Sequence, residues 1–206
     1  VLRDVEVMKT LSWGWILKLF IINTIALFAF FGVFELRLYI LRAQGTRFKF
    51  NGQFPADKKS DVFWFKSQNI DSCLRILFHA MPIWTAIEVA ILYCYANGLV
   101  PWVKFSEHPY YLAFLVLIIP IIHETHFYLI HRLIHIPFLY KHVHSVHHNS
   151  VNPSPFSSLS MHPVELLLYL GMAFWQLVIP SNPILALYAL HFAGFGAIPG
   201  HVGFER

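Results

Sequence analysis

The sequence predicts an all-α, multi-pass membrane protein with about three full spans plus a helical hairpin. Three observations carry this reading. Hydrophobic residues make up 57% of the 206 residues, and charged ones only 13%; soluble domains carry about 25%. Mean hydropathy is +0.56, and the aromatic load of 20 Phe, 9 Tyr and 6 Trp suits a chain with interfacial anchors. Several apolar runs approach the roughly 20 residues that a bilayer demands.

The first span is expected over residues 13–40, rich in Phe, Ile and Leu. It is already of membrane length, which argues against a cleavable signal peptide. A polar stretch from Arg42 to Asp71 follows, holding Arg42, Arg47, Lys49, Lys58, Lys59 and Lys66. The second span is expected over 74–95, stopping at Asn97-Gly98. The third runs over 110–135, kinked at Pro120 and ended by Pro137. A hairpin over 164–198 turns at Pro180-Ser181-Asn182-Pro183, each arm being marginal for a full crossing. No internal repeat or low-complexity tract interrupts what reads as a single membrane domain over 1–206.

Charge gives the orientation. The net charge of +4 concentrates in the first loop, which reads as membrane topology and not as a nucleic-acid surface. With that loop in the cytoplasm, the spans deliver His131 to His148, His162 and His201 to the same face. Cys73 and Cys94 fall in apolar stretches without a C-x-x-C spacing, so no disulfide framework is expected.

Nine of the 13 histidines lie between His123 and His162. His131 and His135 are four apart, so on a helix both imidazoles face one way. His144, His147 and His148 share a second helical face, and Pro137 lets this second helix fold back beside the first. One metal rarely takes five imidazoles, so two ions sharing a wider histidine shell is the natural reading. His201, where the hairpin returns, and His162, at its mouth before Pro163, are further candidates. Glu124 precedes His131 by seven residues and is expected on the same face, as a ligand or as a hydrogen-bond acceptor for one. His123, His126 and His142 point off these faces. His79 and His191 read as core residues, and His108 as an interfacial loop residue. Imidazole suits iron, zinc and copper; zinc lacks redox chemistry but outcompetes ferrous iron for nitrogen sites.

The stretch HETHFYLIHRLIHIPFLYKHVHSVHHNSVNPSPFSSLSMHPVE, His123 to Glu165, resembles the fatty acid hydroxylase and sterol desaturase superfamily. The matching motifs are Glu124, Phe127-Tyr128, H-R-x-x-H at His131 to His135, Leu139-Tyr140-Lys141, H-x-x-H-H at His144 to His148, Pro153 to Phe156, and His162 to Glu165. Gly200-His201-Val202-Gly203-Phe204-Glu205 resembles a later element. The resemblance implies an oxygenase that activates dioxygen at two iron ions. By it, His131, His135, His144, His147, His148 and His201 are metal ligands, with His162 beside them. It also implies an external electron donor, a b-type cytochrome or a ferredoxin, and a lipid substrate, sterol-like or fatty acyl, entering from the bilayer. The setting would be the endoplasmic reticulum or a bacterial inner membrane. The family carries a third H-x-x-H-H box after the Gly-Phe-Glu element, and the chain stops at Arg206 before one. The start at Val1 and this stop read as a fragment, inactive by itself.

Three rivals stand beside this reading. A haem-binding helical bundle would need two histidines on facing helices, not dense H-x-x-H-H boxes. A non-catalytic relative would keep the scaffold for binding lipid. A divalent-metal transporter would line several spans with ionisable groups, whereas here they cluster at one face.

Overall fold

The computed structural model describes residues 5–55 and 60–205. Lys58 and Lys59 of the basic loop, and the chain's first and last residues, lie outside them. The described residues are helical apart from turns and loops, with no strand among them and two isolated bridges, Lys49 with Phe204 and Trp102 with Ser181.

Three helices are long and apolar enough to cross a membrane: α1 (Trp13–Ile40), α2 (Gln68–Ala96) and α3 (Pro109–Ile134). A short run, α4 (137–148), follows. Two shorter apolar helices, α5 (Pro163–Val178) and α6 (Pro183–Gly196), form the hairpin. α1 and α2 each contain a wider π-type turn, Glu35–Ile40 and Ile76–Ala80. α3 runs through Pro120 without a break.

α2 starts six residues earlier than expected, at Gln68. The added turns are polar, but Arg75 Nε donates to Asp71 Oδ2 at 2.7 Å, both side chains being buried. This neutralises the charges that make the segment look like a loop.

α2 is the central helix. The most apolar stretch of α2 is 56% buried inside the protein, against 22% for α1 and 17% for α3, so α1 and α3 turn most of their apolar surface outward, as lipid-facing helices do. The core joins Leu27 and Phe31 of α1, Trp84 and Ile91 of α2, Leu112 and Ile119 of α3, and Leu166 and Leu170 of α5. α6 presents buried Ala186, Ala189 and Ala193. Gly194 beside them lets α6 approach α2: a Cβ there would lie 1.7 Å from the Trp84 ring. Small residues serve close helix approach in membranes, where the hydrophobic effect gives no drive to associate. Within this core, Asn23 of α1 donates to the Glu88 carboxylate of α2. A carboxylate at membrane depth needs such a partner.

The hairpin reaches the end of the bundle opposite the histidines. Tyr95 donates to Gln176 O at 2.8 Å, Tyr111 to Pro180 O at 2.7 Å, and Asn182 Nδ2 to Val103 O at 2.9 Å. The basic loop packs at the histidine end, where Asn51 Nδ2 donates to Asn152 Oδ1 at 2.9 Å and Gln68 Nε2 to Asn152 O at 2.8 Å.

Candidate metal centre

α3 ends at Ile134 because Pro137 cannot continue it. The chain turns at Ile136 and re-enters helix at Pro137, whose ring suits the first helical position. A wide turn over Tyr140–His144 then rotates the chain, and one α-turn, Ser145–His148, finishes the segment. His131 and His135 from α3 thus face His144 and His148 from α4, and the return from α6 brings in His201.

The six histidines lie in one cluster built of three pairs. His131 and His135 Nε2 are 3.1 Å apart, His144 and His148 Nε2 3.0 Å, and His147 and His201 Nε2 3.0 Å. Ring centroids of His131 and His135 are 4.9 and 4.7 Å from that of His144, and the ligand atoms of these three lie within 4.8 Å of one another. His144 is fully buried, whereas His135 and His148 are exposed, so the cluster opens on their side.

Outer contacts fix two tautomers. The His144 Nδ1–H donates to Glu165 Oε1 at 2.8 Å, and the His201 Nδ1–H to Ala197 O at 2.9 Å. Each Nε2 is then left as a lone pair facing the cluster. Burial, and then the neighbouring imidazoles of His201 and His144, push His147 down to about 3. Burial likewise lowers His144, His148 and His201. These rings are therefore neutral near pH 7, the form that binds metal.

The donor set fits a transition-metal ion. Two nitrogens each about 2.1 Å from one ion stand about 3.0–3.4 Å apart for bond angles of 90–110°, which is the separation of the three pairs. An imidazole backed by a carboxylate or a carbonyl is the usual outer support of such a ligand.

Other residues fall elsewhere. Glu124 is not in the cluster: its carboxylate, 70% exposed, pairs with His123 Nδ1 at 3.1 Å. Seven residues return to the same helical face but also move about 10 Å along the axis, away from His131. The acidic partner is Glu165, which helical-face arithmetic on α3 misses; its signal was the His162-Pro163-Val164-Glu165 motif. His162 caps α5, accepting from Val164 N at 3.2 Å, and has no ring contact with the six. His147 does not share its main contact with His144 and His148 but turns to His201. His126 ties α3 to α5, bonding Leu168 O at 2.8 Å and accepting from Trp175 Nε1 at 3.2 Å. Tyr140, of the Leu139-Tyr140-Lys141 motif, sits 5.5–6.0 Å from the rings of His135, His144 and His148.

A cavity of about 210 Å³ adjoins the cluster. His131, His147, His148, His201 and Glu165 line one part of it, and Phe127, Ile130, Ile134, Met161 and Tyr169 the other. The cavity thus joins imidazole nitrogens to an apolar wall.

Comparison with known proteins finds similarity over the histidine-bearing part of the chain. The fatty acid hydroxylase family matches residues 116–206. Among curated relatives, a Delta(7)-sterol 5(6)-desaturase of Leptosphaeria maculans is 38% identical over 64 residues, covering 31% of this chain and 16% of its own. Sphinganine C4-monooxygenase 2 of Arabidopsis thaliana is 37% identical over 83 residues, 39% and 32% of the two chains. Methylsterol monooxygenase 2-1 of the same plant is 47% identical over 53 residues, 26% and 19%. The chain spans no more than about a third of the length of these relatives. No solved structure matches it. The family is iron-dependent and its members are oxygen-dependent oxidoreductases acting on lipids. Over residues 116–206 the chain is similar to the fatty acid hydroxylase family, and its three apolar helices are those of an integral membrane protein.

Proposed function

We propose that this protein forms one membrane oxygenase domain that uses dioxygen to hydroxylate or desaturate a C–H bond of a sterol-like or fatty acyl lipid. The observation that carries the reading is the cavity in which neutral imidazoles meet an aromatic and aliphatic wall. His131, His135, His144, His147, His148 and His201 would hold two iron ions, which when bound supply the redox chemistry that activates dioxygen. Glu165 keeps His144 in the tautomer that presents Nε2. Phe127, Ile130 and Ile134 of α3 exclude water from the apolar part of the cavity and orient an inserted chain. α3 is the span with least of its surface buried, which supports entry of the lipid sideways from the bilayer.

Electrons would come from a b-type cytochrome or a ferredoxin at the open side near His135 and His148. The cluster and the basic loop share one end of the bundle, which supports a cytoplasmic placement in the endoplasmic reticulum or a bacterial inner membrane.

The test uses the full natural chain, purified in detergent and reconstituted with ferrous iron. Two iron ions per chain, lost together in a His144→Ala/His148→Ala variant, with reductant-dependent oxygen uptake stimulated by a sterol or acyl lipid, is the expected result. A folded protein that takes up no stoichiometric metal sinks the oxygenase reading, and lipid binding without catalysis takes its place.

A further inference from the structure

The inner end of α1 is fastened to the metal centre by a contact that the proposed chemistry leaves unused. Tyr39 is buried in the wide turn that ends α1. Its hydroxyl lies 2.6 Å from Pro153 O and 2.9 Å from Val202 O, a shared donor to two carbonyls. These belong to segments far apart in sequence. Pro153 lies in the connection that follows His147 and His148, and Val202 is the neighbour of His201.

Tyr39 is itself held on every side. Its ring packs edge-on against Phe54 and Phe204, with centroids 5.7 and 5.9 Å away. Lys49 is buried, with Nζ 3.4 Å from the Tyr39 hydroxyl and 5.1, 5.3 and 5.2 Å from the rings of Tyr39, Phe54 and Phe204. Such a cage offsets part of the desolvation of an ammonium. The backbone completes the contact: Phe50 N donates to Gly203 O at 3.1 Å and Glu205 N to Phe48 O at 2.9 Å. Gly203 has φ +70°, and a Cβ there would come within 2.8 Å of the Tyr39 hydroxyl and 3.1 Å of Lys49 Nζ. Only glycine satisfies both the backbone angle and the space.

By contrast, the backbone bonds of His201 and Val202 to Ile198, and of the His201 ring to Ala197, are local. They travel with the end of α6 and do not fix it against α4. We propose that Tyr39, seated by Lys49 and Gly203, is a positioning residue of the metal centre, whose hydroxyl sets the spacing at which His201 meets His147. The inference rests on reading the histidine cluster as a metal centre.

Cobalt(II) titration of the metal-free full natural chain tests it, followed by the ligand-field absorption of the bound ion. Tyr39→Phe keeps the ring packing and removes only the hydroxyl. The expected result is a cobalt affinity weakened about 10–100-fold, the size of effect known for outer partners of metal ligands, with an altered ligand-field band and an unchanged metal-free melting curve. Gly203→Ala, which pushes on the same hydroxyl, is the second variant and weakens binding alike. Phe54→Leu loosens the packing without touching the hydroxyl; it lowers the melting temperature and leaves the cobalt spectrum as in the unsubstituted protein. Cobalt affinity and spectrum unchanged in Tyr39→Phe overturn the proposal alone, as does equal weakening by Phe54→Leu. An unsubstituted protein that binds no cobalt overturns the metal-centre reading, and this inference with it.

Discussion

At the scale of single residues, the centre depends as much on what stands behind the imidazoles as on the imidazoles. Glu165 is buried and bonds His144 Nδ1 at 2.8 Å. Glu165→Gln should weaken metal binding about 10–100-fold, read by competition with a chelator of known affinity, while the apolar cavity still takes up a lipid probe. A second prediction follows from His147, which burial holds down to about 3. Its folded value lies below its ordinary one of 6.5, so between them the unfolded chain binds a proton that the folded chain refuses. Stability is therefore full above pH 6.5 and is lost as pH falls toward 3. The melting temperature of the metal-free protein should drop between pH 7.5 and 5, and the His147→Gln variant should show a shallower drop. These residues were unevenly legible in the sequence. The spacing of His131 with His135 and of His144 with His148 follows from helical periodicity, and the structure brings those rings together. Glu124 and Glu165 were not separable that way, because a face argument counts angle and ignores rise. Which partner His147 takes depends on a wide turn over Tyr140–His144 that no residue in it announces.

At the scale of elements, hydropathy located the three spans and the hairpin because lipid imposes one length on all of them. It missed the first turns of α2, whose Asp71 and Arg75 cancel only once they are folded against each other. Hydropathy is also silent on which span is central. That ranking comes from side-chain size, Trp84 of α2 lying against Gly194 of α6. Gly194→Leu should force the two helices apart, at a cost of about 1–3 kcal/mol or more, seen as a lower melting temperature. Because His201 follows α6 by a few residues, iron content should fall with it. Gly171 at the junction within α5 offers the contrast: the nearest atom to an added Cβ is 3.9 Å away. Gly171→Ala should leave both melting and iron content as they were.

At the scale of the whole molecule, the proposed ligands converge from three stretches of chain: the end of α3, α4, and the return from α6. A bound ion would cross-link them, and cross-links that close long loops gain most from the closure. Removing the metal should leave the spans folded and loosen the connecting segment at 137–162. Limited proteolysis with and without chelator would show this as new cuts confined to that segment, and cuts within α2 would contradict it. The convergence also has a consequence in time. His201 is made 70 residues after His131, a delay of roughly 4–14 s at ordinary rates of synthesis. For the last 53 of those 70 residues, His131, His135, His144 and His148 are all made while His147 still lacks its partner. The unfinished cluster is a nitrogen site on which zinc outcompetes ferrous iron. The identity of the first ion to arrive is then a matter of supply at the ribosome, settled before the last ligand exists.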